Sequence, residues 1–227
     1  MELYLSFDLT LLLYKIVSLG LLYRNIAKER YDIMPFAIAI GSPKYKQHLG
    51  LINNIKNPKI IDKKNIPKDG GVILAGNHRH IFDPCMPILS TKRPVHYMAK
   101  KELFDSSVGW FFRVVGCIPV DRGHDNTNSK EDAVRVLKNG EILGIFPEGT
   151  RNKTGKELLP FKYGTVSMSY KTKALIVPFA ITGKYRLFNN GLTIRFGKGF
   201  LADDDLEKSN KRLASEIEKL ISENTGK

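Results

Sequence analysis

From residue 71 onward the chain repeats one device, a short apolar segment followed by a polar turn or a stretch of helical period, and few architectures bury such a pattern. The apolar segments are Gly71 to Ala75, Pro94 to Ala99, Cys117 to Val120, Ile142 to Phe146, Leu175 to Ile181 and Leu192 to Phe196. Each is too short for a buried helix and reads as a strand. Glu131 to Lys138 sets Ala133, Val134, Val136 and Leu137 at helical spacing and stops at Asn139-Gly140, a helix end. Asp203 to Ile221 reads as a charged amphipathic terminal helix. Alternation of this kind indicates an α/β sheet domain. Upstream, the Lys-rich stretch from Lys44 to Lys68 holds Pro58 and Pro67 and reads as a connector. The division expected is residues 1–60 for N-terminal helices and connector, and 61–227 for the domain.

Those first residues are apolar in a particular way. Leu5 to Tyr23 reads LSFDLTLLLYKIVSLGLLY, interrupted by Asp8 and Lys15, so it is not a clean transmembrane span. Ile33 to Ile40, with Pro35 inside it, is too short to cross a bilayer. Met-Glu at the start lacks the positive region of a signal peptide. Packing on the protein's own core and lying in a membrane interface fit the pattern equally well.

At 227 residues the chain is long enough for one well-formed core, and its formal charge of +13 draws it to polyanions, nucleic acid or an anionic bilayer. Cys85 and Cys117 are too few for a disulfide scaffold and have no metal-ligand spacing, so they read as reduced core thiols of a cytosolic protein.

The chemistry-bearing residues follow the strands. Asn77-His78-Arg79-His80-Ile81-Phe82-Asp83-Pro84 comes directly after the first strand, and strand ends are where open α/β sheets bind ligands. A histidine can take a proton from a hydroxyl when a carboxylate fixes its other nitrogen. Asp83 can serve either His78 or His80, and the residues alone do not choose. Gly116-Cys117-Ile118-Pro119-Val120-Asp121-Arg122 ends a strand in an arginine, and Phe146-Pro147-Glu148-Gly149-Thr150-Arg151 ends another in a Gly-containing turn and a second arginine. Two such guanidinium groups suit a dianionic ligand. Glu148 can bind a hydroxyl or pair with an arginine, and pairing is the simpler expectation. Val177-Pro178-Phe179 reads as structural punctuation of a strand.

In this order and at these separations the four clusters, from Asn77 to Phe179, resemble the glycerolipid acyltransferase family, most closely the bacterial 1-acyl-glycerol-3-phosphate acyltransferases. The resemblance implies His78, first in His-x-x-x-x-Asp, as the base and Asp83 as its partner. It implies that Arg122, Glu148, Gly149, Thr150 and Arg151 hold the acyl acceptor, and that Lys100 and Lys101 lie near the acceptor phosphate. Asn152 stands where the family usually has Ser, at a position expected to order the loop. The fold expected is α/β, a mixed central sheet flanked by helices, with N-terminal membrane-binding helices.

The reaction implied is transfer of a fatty acyl group from an acyl carrier protein or coenzyme A thioester to the free hydroxyl of lysophosphatidic acid. It takes place at the cytoplasmic face of the cell membrane, with a peripheral or monotopic protein, no cofactor, no metal and no nucleic-acid partner. Direct attack by the hydroxyl needs no acyl-enzyme, and no Gly-x-Ser-x-Gly elbow is present. Acylation of glycerol 3-phosphate or another lysophospholipid would use the same residues, as would a thioester hydrolase. A basic membrane or nucleic-acid binding module is the non-enzymatic alternative. Neither stacking aromatics among the basic residues nor a known nucleic-acid motif supports the nucleic-acid form.

Overall fold

The computed structural model describes residues 58–226 apart from 81, 106–108, 115, 122–126 and 186–190, so the N-terminal helices expected at 5–23 and 33–40 lie outside the described residues, as does Arg122. Seven strands form one sheet in the order β1-β7-β6-β2-β5-β3-β4. They are β1 (Lys59–Ile61), β2 (Val72–Gly76), β3 (Val95–Lys100), β4 (Ile118–Val120), β5 (Ile142–Ile145), β6 (Leu175–Thr182) and β7 (Thr193–Phe196). The helices are α1 (Cys85–Ser90), α2 (Lys101–Phe104), α3 (Gly109–Val114), α4 (Thr127–Lys138), α5 (Gly164–Thr172) and α6 (Leu206–Thr225).

β2 is central and buried along its whole length, which is why its sequence is a continuous apolar run rather than an alternation. It pairs in parallel with β5 and β6, while β3 continues the parallel set through β5 and β4 through β3. β6 pairs antiparallel with β7, and β1 lies parallel to β7, so the sheet is mixed. Alternate residues divide between its faces. Ile73 and Ala75 pack with Leu143, Ala133, Leu137, Val166 and the α6 residues Leu213 and Ile217. Val72 and Leu74 pack with Met86 of α1, Ile142, Val177 and Phe179.

Caps set the helix ends. Asp205 accepts a hydrogen bond from the Lys208 backbone at the start of α6, satisfying one of the free N–H groups there. α4 stops at Asn139-Gly140, with Gly140 at φ +77°, as the sequence predicts. Two expectations need correction. The connector is not irregular to residue 68, because Lys59–Ile61 joins the sheet edge against β7 and a 3-10 turn spans Lys63–Asn65. The boundary at 60 therefore falls inside a strand whose two isoleucines complete the edge. α6 begins and ends later than predicted, because the Asp205 cap fixes its start and Gly226, at φ +71°, closes its end.

Since β6, β2, β5, β3 and β4 run in one direction, their C-terminal ends share one edge of the sheet. The loops leaving that edge carry residues 77–84, Lys100 and Lys101, Asp121, residues 146–152 and residues 183–185.

Candidate active site

Asn77 anchors the site. It is 1% exposed; its Nδ2 donates to the Ile181 carbonyl at 2.9 Å and its Oδ1 accepts from the Ile181 N–H at 2.8 Å. That pair of bonds ties the end of β2 to β6 just where the chain leaves the sheet. A turn follows, in which Asp83 N donates to the His80 carbonyl and Met86 N to the Asp83 carbonyl. The turn folds Asp83 back beneath His78.

Asp83 is 1% exposed and its carboxylate is fully engaged. Oδ2 lies 3.0 Å from His78 Nδ1 and accepts from the Arg79 and His80 backbone N–H groups at 2.6 and 2.7 Å. Oδ1 accepts from the Tyr185 hydroxyl at 2.6 Å. A buried charge held by this many donors is fixed in place. With Nδ1 donating to the carboxylate, Nε2 is the nitrogen left to exchange a proton. The His78 ring stacks on Phe146, centroids 4.1 Å apart and planes 18° apart, which sets its second orientation.

His80 is placed differently. Its Nδ1 faces the Phe82 N–H at 3.3 Å and its ring stacks on Tyr185 at 4.1 Å. Burial lowers its pKa below 6.5; the Asp83 charge pulls it up, while Arg151 and His78 depress it further. The carboxylate that either histidine could have used thus meets the ring of His78.

The turn after β5 clamps the main chain of the same histidine. Glu148 is buried; Oε1 accepts from the His78 N–H at 2.8 Å and Oε2 from the Leu159 N–H at 3.0 Å. Burial raises the Glu148 pKa, and the two N–H donors oppose that rise. Pairing with an arginine was the simpler expectation for Glu148, whereas its oxygens are taken by backbone amides. Asn152 N donates to the His78 carbonyl at 2.7 Å. The Asn152 side chain, also buried, bonds to the Lys156 carbonyl and to Thr154, so it does order the loop. Gly149 sits at φ +67°, where a Cβ would strike the Lys162 side chain at 2.9 Å, and glycine alone adopts that conformation without strain.

Of the other residues singled out from the sequence, Thr150 and Arg151 are exposed on the same turn. Lys100 ends β3, and Lys101 opens α2 with its Nζ 3.9 Å from Asp121 Oδ2. Tyr185 and Phe146 were missed as site residues. Tyr185 acts on a residue 102 positions away, and nothing local marks it. Phe146 opens the Phe-Pro-Glu-Gly-Thr-Arg motif, but nothing in the motif marks its ring as the support of His78. Both cysteines are free thiols, each pushed up to about 11 by burial, with the Asp83 charge adding to the effect at Cys85. Among the described residues no group of His, Cys, Asp and Glu is gathered to hold a metal ion.

A mixed α/β sheet carrying a buried His-Asp pair after its central strand and a Glu-Gly-Thr-Arg turn after the neighbouring one matches a known sequence family. The family model for Acyltransferase covers residues 57–182, and the chain belongs to that family. Among its relatives is the 1-acyl-sn-glycerol-3-phosphate acyltransferase of Bacillus subtilis (strain 168), 38% identical over 127 residues, which are 55% of this chain and 62% of the relative. The protein of the same name from Borreliella burgdorferi is 33% identical over 144 residues, 60% of this chain and 57% of the relative. The matched part spans less than two thirds of the length of either. In fold, the crystal structure of the 1-acyl-sn-glycerophosphate (LPA) acyltransferase from Thermotoga maritima superposes with a TM-score of 0.64 at 20% identity, covering 98% of each chain.

Proposed function

We propose that this protein transfers a fatty acyl group from an acyl thioester to the free sn-2 hydroxyl of 1-acyl-sn-glycerol 3-phosphate, giving phosphatidic acid for phospholipid synthesis. The observation that carries the reading is the 3.0 Å contact between His78 Nδ1 and a buried, fully engaged Asp83. His78 Nε2 takes the proton of the hydroxyl as its oxygen attacks the thioester carbonyl, and Asp83 stabilises the imidazolium. Collapse of the tetrahedral intermediate expels the thiolate, which takes the proton back from His78. One general base therefore serves both halves of the reaction, and no protein nucleophile is needed.

Arg122, Arg151, Lys100 and Lys101 supply positive charge for the acceptor phosphate, and Gly149 and Thr150 shape the turn that presents Arg151. Glu148 acts through the main chain of His78. The donor is acyl-coenzyme A or acyl carrier protein. The N-terminal apolar segment holds the protein to the cytoplasmic face of the membrane, where lipid substrate and product exchange without crossing water.

The test is phosphatidic acid formation from 1-acyl-glycerol 3-phosphate and an acyl thioester in vesicles, with glycerol 3-phosphate and lysophosphatidylcholine as competing acceptors. Wild type and His80→Ala form product; His78→Ala does not. Equal activity in His78→Ala refutes the mechanism, and free fatty acid as the sole product makes the protein a hydrolase.

A further inference from the structure

Beside the His-Asp pair, on the side facing β6, a cleft of about 340 Å³ opens between the loops after β2, β5 and β6. Its walls carry Arg79, Lys153, Lys156 and Lys184, and among the described residues none of the four forms an ion pair. Among the described residues Asp83 is the one carboxylate lining it, and both of its oxygens are already occupied by His78, by two backbone amides and by Tyr185. Four exposed cations around one concavity, with its carboxylate already saturated, make a site for an anion. The volume is at the small end of ligand pockets, which run from about 300 to 1,000 Å³.

Position within the sheet says which anion. The cleft is lined by Asp83 and Tyr185 but not by His78, so it opens on the Nδ1 side of the imidazole, away from the nitrogen that exchanges the proton. In the acceptor, four bonds separate the attacking oxygen from phosphorus, a reach of roughly 5 Å, taking about 1.2 Å per extended bond. Its phosphate must therefore lie near Nε2. In the donor, thirteen bonds run along the pantetheine arm from the thioester sulfur to the first phosphorus, a reach of roughly 16 Å on the same basis. The long tether carries a phosphate past the His78 ring and the Asp83 carboxylate with length to spare, whereas the short one of the acceptor favours the Nε2 side.

We propose that the cleft between Arg79, His80 and Asp83, residues 152–156 and residues 183–185 is the subsite for the phosphate ester on the carrier arm of the acyl donor, the phosphopantetheine group that coenzyme A and acyl carrier protein share. The inference rests on the acyl-transfer reading. It divides the cations of the sheet edge between the substrates, with Lys100 and Lys101 beyond β5 on the acceptor side and Lys153, Lys156 and Lys184 on the donor side.

The experiment measures initial rates of the full chain in phosphatidylcholine vesicles, varying each substrate while the other saturates. The donor is palmitoyl-coenzyme A or palmitoyl-acyl carrier protein, whichever wild type uses faster. In the triple variant Lys153→Gln, Lys156→Gln, Lys184→Gln the KM for the donor is expected to rise about tenfold or more, the loss of charge-assisted contacts, with kcat and the acceptor KM within twofold of wild type. Replacing the same lysines by arginine keeps the donor KM low. With S-palmitoyl-N-acetylcysteamine, which has no phosphate, the Gln variant and wild type react alike. A raised acceptor KM, an unchanged donor KM, or an equal loss with the phosphate-free donor overturns the assignment. An unchanged thermal midpoint separates these outcomes from misfolding, in which case the arginine variant still decides between them. Failure of wild type to make phosphatidic acid from any donor refutes the acyl-transfer reading itself.

Discussion

Replacing Asp83 by Asn and by Ala separates what its charge does from what its oxygens do. Asn keeps one oxygen to accept from the Arg79 and His80 amides and from His78 Nδ1, while its NH2 group donates to the Tyr185 hydroxyl, which turns to accept. The hydrogen-bond count is nearly preserved, and the stability cost is expected at about 1–2 kcal/mol. What disappears is the negative charge opposite the imidazolium, and in a His-carboxylate pair that loss lowers kcat by roughly 10³ to 10⁴, or about 4–5.5 kcal/mol of transition-state stabilisation. Ala removes the acceptor altogether. His78 and Tyr185 can swing toward water, but the two backbone N–H groups cannot, and each buried donor left without a partner costs about 1–3 kcal/mol. The resulting loss of roughly 2–6 kcal/mol is a large part of the stability of a domain, which is about 5–15 kcal/mol. Product formation at saturating substrates and urea denaturation of both variants provide the assay. Asp83→Asn retaining a tenth or more of wild-type kcat, or unfolding at the same urea concentration as Asp83→Ala, refutes the reasoning.

Three further outcomes are expected. Asn77→Ala leaves the Ile181 N–H and carbonyl buried without their side-chain partner, lowering stability by about 2–4 kcal/mol in urea titration. Because burial depresses the pKa of folded His80 below 6.5, the unfolded chain takes up more protons just below that pH. The stability this group contributes above pH 6.5 is then lost on acidification; the decline should flatten in His80→Gln when urea midpoints are compared from pH 7.5 down to pH 5. With both thiols pushed up from 9.0 to about 11, iodoacetamide at pH 7.5 should alkylate the folded chain about a hundredfold more slowly than the unfolded chain, read by mass spectrometry.

Central elements were legible because they are buried on both faces or carry their own stop signals. Val72–Gly76 announces itself as an uninterrupted apolar run, and the end of α4 is written in Asn139-Gly140. β1 was not, since three residues inside a lysine-rich stretch have no period, and only the edge of β7 makes them a strand. The His78-Asp83 pairing was within reach of the residues, but the choice of His78 over His80 came from resemblance, and in space it depends on a turn in which backbone amides of residues 79 and 80 seize the Asp83 carboxylate. Glu148 was read by its charge, whereas the fold uses its shape as a double acceptor for amides on two different loops. Tyr185 lay beyond any local pattern because it meets Asp83 only after the sheet has closed.

Both peptide groups flanking the His78 α-carbon are held from the neighbouring loop, the N–H by Glu148 Oε1 and the carbonyl by the Asn152 N–H. The histidine is in effect one rung of a short improvised ladder between two connections that belong to different strands. A consequence follows for transplanting the chemistry. Grafting residues 77–84 alone onto another α/β sheet would import the side chains without the rail that sets their height, so the portable unit is the pair of loops, 77–84 together with 146–159, mounted on adjacent parallel strands.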